Sequence, residues 1–96
     1  MALIQVTPEE LRADGNSFKQ YGEEIQAIVA KCDRLKNKLL DEWKGSSSNA
    51  FMNQYDQLHP SMENFYKVVG EIGAQVNSIA DTVEQTDQDI AAKIGF

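Results

Sequence analysis

Apolar residues recur at seven-residue intervals along the first half of the chain, and this repeat constrains the fold more than any other feature. One series begins at Leu11, and a second begins at Tyr21, three residues after a member of the first. Such spacing is typical of an amphipathic helix with one apolar stripe that packs against another helix. The stripe comprises Leu11, Phe18, Tyr21, Ile25, Ile28, Cys32, Leu35 and Leu39.

The segment VTPEEL marks the start of this helix. Thr7 is suited to the N-cap, Pro8 suits the first helical position, and Glu10 completes a Thr-x-x-Glu capping box. The pattern predicts a helix over about residues 8–43. Gly15 and Gly22 are poor helix formers beside the stripe, and we expect them to let a second helix approach closely.

A second repeat, with spacings of four and three in alternation, fills the other half of the chain. It predicts a helix over about residues 49–94, ended by Gly95. Pro60 falls inside this pattern, so we expect a kink near residues 56–60, with a break into two helices as the less favoured alternative. The apolar positions are Phe51, Tyr55, Leu58, Met62, Phe65, Val69, Ile72, Val76, Ile79, Val83 and Ile90.

The segment KGSSSN is the strongest turn signal in the chain and predicts a turn at residues 44–48. Two long helices and one short connection indicate an all-α fold, an antiparallel helical hairpin that forms a single domain over residues 1–96. A lone hairpin leaves each apolar stripe half covered. We therefore expect it to dimerise into an elongated four-helix bundle.

The predicted core and dimer seam is the set of stripe positions that would be covered on dimerisation. Its members are Leu11, Phe18, Ile25, Ile28, Cys32, Leu35, Leu39, Phe51, Leu58, Phe65, Val69, Ile72, Val76 and Ile79.

Composition excludes several classes of function. The net charge of −6 argues against a nucleic-acid partner, because phosphate contacts require Lys and Arg. No stretch approaches the roughly 18 apolar residues of a membrane span. The beginning, MALIQV, has neither the basic residue nor the long apolar run of a cleavable signal peptide, which we therefore expect to be absent.

The chain offers little material for catalysis. His59 is the only histidine and Cys32 the only cysteine, so we expect no triad, no zinc site and no internal disulfide. We expect His59 on the surface and Cys32 buried as a small hydrophobe rather than acting as a nucleophile. These features predict a non-enzymatic protein without cofactor or metal.

Two charge clusters suggest how two copies would be oriented. The basic cluster is Lys31, Arg34, Lys36 and Lys38, near the turn; the acidic cluster is Asp81, Glu84, Asp87 and Asp89, near the free end. The acidic cluster lacks the glycine and the spacing of a calcium loop. Within one hairpin the clusters lie too far apart to pair, whereas an antiparallel dimer would bring each beside its opposite. Two independent solvated patches remain the alternative.

Trp43, Lys44 and Gly45 occupy the predicted turn of this heptad hairpin. Together with the chain length, this arrangement resembles the WXG100 family, the ESAT-6-like (Esx) proteins exported by type VII secretion systems, and particularly its homodimeric members from Firmicutes. The resemblance implies a secreted, non-enzymatic adaptor or partner. It also implies export as a folded dimer, homo- or heteromeric, from the cytoplasm by an FtsK/SpoIIIE-type membrane ATPase. A secreted membrane-active effector of the virulence type is the alternative function.

The family resemblance also implies a bipartite export signal. Trp43 and Gly45 match its first half, whereas the second half, Tyr-x-x-x-Asp/Glu, is degenerate because Val83 stands four residues before Asp87. Two roles are open for Trp43: a cap over the end of the bundle, or the border of a groove that a partner's C-terminal segment closes.

Overall fold

The computed structural model describes residues 6–93, which form two antiparallel α-helices. Helix α1 spans Pro8–Glu42 and helix α2 spans Ser46–Lys93. The hairpin is a rod of 76 × 21 × 18 Å. No strand occurs within residues 6–93. The predicted all-α helical hairpin is confirmed.

Helix α1 begins with the predicted capping box. The Thr7 hydroxyl accepts a hydrogen bond from the Glu10 backbone N–H at 3.0 Å, and the Glu10 carboxylate accepts one from the Thr7 N–H at 3.4 Å. Pro8 occupies the first helical turn, where its missing N–H costs nothing. Local sequence chemistry therefore fixes this end of the rod.

The turn is shorter than the predicted segment 44–48, since α1 and α2 are separated by residues 43–45 alone. Trp43 is the C-cap of α1, and its backbone N–H donates to the Leu39 carbonyl at 2.7 Å. Gly45 has φ +138°, a backbone conformation that favours glycine. The serines belong to the first turn of α2, where the Ser48 hydroxyl donates to the Gly45 carbonyl at 2.6 Å.

Helix α2 continues through Pro60 without interruption, so the alternative of two separate helices is wrong. The missing proline N–H removes one backbone hydrogen bond, but the apolar repeat on both sides keeps the same face turned toward α1. The predicted end of this helix, at residue 94 and Gly95, lies outside the described residues.

Glycines set the closest approach of the two helices. Gly15, Gly22 and Gly73 are all buried. A Cβ on Gly22 would lie 3.1 Å from the backbone nitrogen of Gly70, and one on Gly73 would lie 2.5 Å from the Gly15 carbonyl oxygen. The expectation that Gly15 and Gly22 allow close packing is confirmed.

Few hydrophobic side chains are fully enclosed between the helices. Among the described residues, Val29 and Ala80 are the buried hydrophobic ones, and no large side chain is fully buried. Cys32 is exposed, so the prediction that it is buried is wrong for the single hairpin. The reason is angular: α1 meets α2 along Gly15, Gly22 and Val29, and Cys32 lies to one side of that line.

The predicted seam residues divide into two groups by exposure. Half-buried positions beside the helix contact are Leu11, Ile25, Leu39, Phe51, Val69 and Val76. Exposed positions are Phe18, Ile28, Cys32, Leu35, Leu58, Phe65, Ile72 and Ile79. None of the helices in the described part of the chain is long and apolar enough to cross a membrane.

Candidate functional site

Trp43 packs over the turn end of the rod. Its ring centroid lies 5.6 Å from that of Phe51, and its indole N–H donates to the Ser47 hydroxyl at 3.1 Å. The side chain is still 38% exposed. Both interactions depend on the backbone reversal at Gly45, so the Trp-x-Gly sequence forms one structural unit in which the indole caps Phe51 and also presents a face to solvent.

A row of rings extends from this indole along α2. Phe51 lies 6.2 Å from Tyr55, and Tyr55 lies 6.0 Å from His59, measured between ring centroids. Beside the row is an apolar cavity of about 230 Å³. Its lining residues are Cys32, Leu35, Lys36, Leu39, Phe51 and Tyr55. The turn end therefore offers a shallow carbon-lined groove next to Trp43.

A polar cluster crosses from α1 to α2 at the far end of the ring row. The Tyr55 hydroxyl donates to Asp33 Oδ1 at 2.5 Å, and His59 Nε2 lies 3.1 Å from Asp33 Oδ2. Burial is the larger cause and the hydrogen bond to Asp33 the next, and together they raise the pKa of the Tyr55 phenol to about 12. Lys36 Nζ lies 5.2 Å from the centroid of the Tyr55 ring.

Sequence reasoning missed this cluster. His59 was expected on the surface, whereas the imidazole is half-buried and contacts Asp33. The available signal was the hairpin itself, because residues equally distant from the turn along the two helices face one another. The four-residue spacings from Tyr55 to His59 and from His59 to Glu63 place all three on one side of α2.

At the free end of the rod, Arg12 contacts two members of the acidic cluster. Its guanidinium lies 2.8 Å from Asp81 Oδ1 and also pairs with Glu84. These hydrogen bonds raise the pKa of Arg12. The sequence analysis assigned Asp81 and Glu84 to a cluster that pairs with the partner's basic cluster, with a solvated patch as the alternative. It overlooked Arg12 because that residue lies outside the basic cluster near the turn.

The degenerate half of the predicted signal lies far from Trp43 within one chain. Val83 is half-buried and Asp87 is exposed, one helical turn apart near the free end of α2. Trp43 lies at the opposite end of the rod. A single hairpin therefore does not bring the two halves together.

An exposed apolar surface runs along one side of the hairpin. We call it the apolar flank and define it as Phe18, Tyr21, Ile28, Leu35, Leu58, Phe65, Val68, Ile72 and Ile79. These side chains are between 37% and 58% exposed. Soluble monomers seldom expose a continuous apolar strip of this kind. No group of three or more metal-ligating side chains converges anywhere within residues 6–93.

Comparison with known proteins places these features in a family context. The sequence model of the WXG100 family, described as proteins of 100 residues with WXG, matches residues 3–88. Protein YukE of Bacillus subtilis strain 168 is 45% identical over 95 residues, which cover 96% of this chain and 95% of YukE. Type VII secretion system extracellular protein A of Staphylococcus aureus strain USA300 is 35% identical over 96 residues, covering 100% of this chain and 99% of the relative.

Solved structures show the same fold. EsxA of Geobacillus thermodenitrificans superposes with a TM-score of 0.81 at 35% identity, covering 95% of this chain and 98% of that one. The secreted protein EsxB of Bacillus anthracis strain Sterne superposes with a TM-score of 0.77 at 29% identity, covering 91% of this chain and 99% of that one.

Proposed function

The chain belongs to the WXG100 family, and on that premise we propose that it is a substrate of a type VII secretion system, exported as a folded dimer and acting as an adaptor or partner. A relative that shares its whole length is named an extracellular protein of such a system. The family is one of small secreted proteins that are not enzymes. The single observation that supports the dimeric form is the small number of hydrophobic side chains buried within one hairpin.

The partner we propose is a second copy of this chain, covering the apolar flank. Val29 and Ala80 are the hydrophobic residues buried in the described hairpin, and its other large apolar side chains remain half-buried or exposed. A second copy would therefore add apolar burial that one hairpin lacks. Ile28 and Leu35 on α1 project from the same side as Leu58 on α2. Pairing two apolar flanks would bury both strips in one step.

Charge favours an antiparallel arrangement of the two copies. The basic cluster lies near the turn and the acidic cluster near the free end, so head-to-tail packing sets each beside the partner's opposite charges. Arg12 already neutralises part of the acidic cluster within the chain, which leaves Asp87 and Asp89 beyond its contacts. Burial of the apolar flank supplies the affinity, and the charges select the orientation.

A substitution at the centre of the apolar flank tests the dimer. Phe65 is 58% exposed in the hairpin, so Phe65→Asp should convert the dimer to a monomer, measured by light scattering coupled to gel filtration. Gln26→Asp adds the same charge at an exposed position outside the apolar flank, and it should remain dimeric. If Phe65→Asp keeps the affinity of the parent protein, the apolar flank is not the interface.

The turn end is the proposed recognition element for export. In an antiparallel dimer, Trp43 of one copy and its apolar groove would lie near the free end of the other, where Val83 and Asp87 are found. The indole is exposed enough to contact a binding partner while it stays packed against Phe51. A membrane ATPase of the FtsK/SpoIIIE type would then bind a surface that only the dimer forms.

Export assays can separate recognition from packing at Trp43. Trp43→Ala removes both the exposed face and the contact with Phe51, whereas Phe51→Leu weakens that contact and keeps the indole. We expect both variants to melt at lower temperature, but only Trp43→Ala to lose export from cells. Equal export of the two variants at matched stability would reduce Trp43 to a structural cap.

A further inference from the structure

The imidazole of His59 is held between two carboxylates on different helices. Its Nε2 lies 3.1 Å from Asp33 Oδ2 on α1, and its Nδ1 lies 2.9 Å from Glu63 Oε1, one turn further along α2. The His59 side chain is only 29% exposed, so both contacts form partly out of water. The Asp33 contact joins the two helices, and the Glu63 contact lies within α2.

This geometry requires a specific protonation state. A carboxylate accepts hydrogen bonds and donates none, so each ring nitrogen needs its own proton to bond its neighbour. The imidazolium ion carries both protons. The neutral ring carries one, and its other nitrogen would then direct a lone pair at a carboxylate oxygen. Loss of one proton therefore removes one of these two attractions, and it also weakens the other, because a neutral ring donates a weaker hydrogen bond to a carboxylate than the imidazolium ion does.

The bridge lies at a weak point in α2. Pro60 follows His59 directly and cannot donate a backbone hydrogen bond, so the carbonyl of Asp56 lacks its usual helical partner. An open cavity lined by Asp33, Lys36, Asp56, His59 and Pro60 adjoins this position. The other contacts between α1 and α2 described at this position are made by Tyr55, which bonds Asp33 and lies under the Lys36 ammonium.

We propose that Asp33, His59 and Glu63 form a pH-gated clamp that holds the turn-proximal part of the hairpin closed when His59 is protonated and loosens it when His59 is neutral. All members of the clamp belong to one chain, so its contacts form without a partner. It gives the rod a segment whose local opening responds to mildly alkaline conditions.

The surrounding charges favour this behaviour. The hydrogen bond with Asp33 raises the pKa of His59 above its usual 6.5; burial opposes this shift, and the charges of Asp33 and Glu63 reinforce it. The hydrogen bond from Tyr55, and then that from His59, lower the pKa of Asp33 below 3.8. The other charged groups that line the cavity beside the ring are Asp56 on α2 and Lys36 on α1, which carry opposite charges.

The sign of the pH dependence follows from these directions. The contribution of His59 is complete below pH 6.5 and is lost as pH rises through its higher folded-state pKa. The contribution of Asp33 is complete above pH 3.8 and is lost as pH falls through its lower folded-state pKa. The clamp is therefore strongest between these two values.

Tyr55 supplies a part of the bridge that does not switch. Its hydroxyl bonds the other oxygen of Asp33 and stays protonated until about pH 12. Deprotonation of His59 thus loosens the seam between the helices without releasing Asp33 completely. Opening should be local and graded rather than a loss of the fold.

The single histidine makes the clamp directly measurable by NMR. In the full-length protein, the imidazole resonances should titrate with a midpoint above 6.5, and Asp33→Asn should lower that midpoint more than Glu63→Gln does. Amide exchange protection around residues 56–59, corrected for intrinsic rates, should fall between about pH 6 and about pH 8.5. His59→Gln should abolish this fall.

Three results would each overturn the clamp. They are a midpoint at or below 6.5 in the parent protein, a midpoint that Asp33→Asn leaves in place, and a fall in protection that His59→Gln retains. The first needs no variant, so it decides the matter even if a substitution unfolds the chain. Far-UV circular dichroism of each variant verifies that the helices persist.

Discussion

Two glycines three residues apart on α2 should respond in opposite directions to the same substitution. Gly73 faces the α1 backbone, where an added Cβ would lie 2.5 Å from the Gly15 carbonyl oxygen and 2.9 Å from the Lys19 backbone nitrogen. Gly70 faces open space, with no atom within 4 Å of an added Cβ. Gly73→Ala should therefore destabilise the protein, and Gly70→Ala should stabilise it.

The magnitudes follow from two competing effects. Replacing glycine by alanine inside a helix stabilises it by about 1 kcal/mol, and Gly70→Ala should gain this amount in full. Gly73→Ala gains the same amount, but its Cβ would meet backbone atoms of α1. The two helices must then move apart, because backbone atoms cannot turn aside as the end of a flexible side chain can. Overpacking typically costs about 1–3 kcal/mol, and backbone contacts favour the upper part of that range. The two variants should differ by about 2–3 kcal/mol in free energy of unfolding.

Urea denaturation followed by far-UV circular dichroism measures this difference, provided that all variants are compared at one protein concentration. The parent protein should lie between the two variants. If Gly73→Ala matched or exceeded Gly70→Ala in stability, the helices would not approach as closely at Gly15 as the structure shows. The glycines would then serve no packing purpose.

Three further substitutions test other contacts. Thr7→Ala removes the capping box of α1 and should cost about 1 kcal/mol in urea denaturation. Arg12→Gln should lower the melting temperature slightly at low salt, and the difference from the parent should vanish at about 1 M salt, because the pair with Asp81 and Glu84 is exposed. Tyr55→Phe should remove a phenolate absorbance step near pH 12. The burial and hydrogen bond that delay this step stabilise the fold below pH 10, and the contribution is lost as pH rises toward about 12, so the stability difference between Tyr55→Phe and the parent should shrink over that range.

Local chemistry made much of the fold predictable. The capping box at Thr7 and Glu10 specified where α1 begins, and the phase of the apolar repeat specified that α2 continues through Pro60. The serines after Gly45 were misread as loop. Their hydroxyls bond the turn itself, Ser47 to the Trp43 indole and Ser48 to the Gly45 carbonyl, so the helix starts before them.

The apolar repeat did not reveal which side of each helix meets the other. A broad stripe can face its intramolecular partner, a second chain or both, and periodicity is the same in each case. In this protein the helices meet along residues such as Gly15 and Val29, and bulky side chains such as that of Ile28 are exposed to solvent. For the same reason, Asp33 and His59 could be recognised as neighbours only after the helices had been aligned from the turn.

With few side chains buried between α1 and α2, the proposed dimer would make folding depend on protein concentration. If Val29 and Ala80 are the hydrophobic side chains that one hairpin buries, separating two paired copies removes most of what holds each of them folded. Dilution would then act like a denaturant, and the melting temperature would rise with each increase in protein concentration. A secretion machine that pulled the pair apart would need no separate unfolding step.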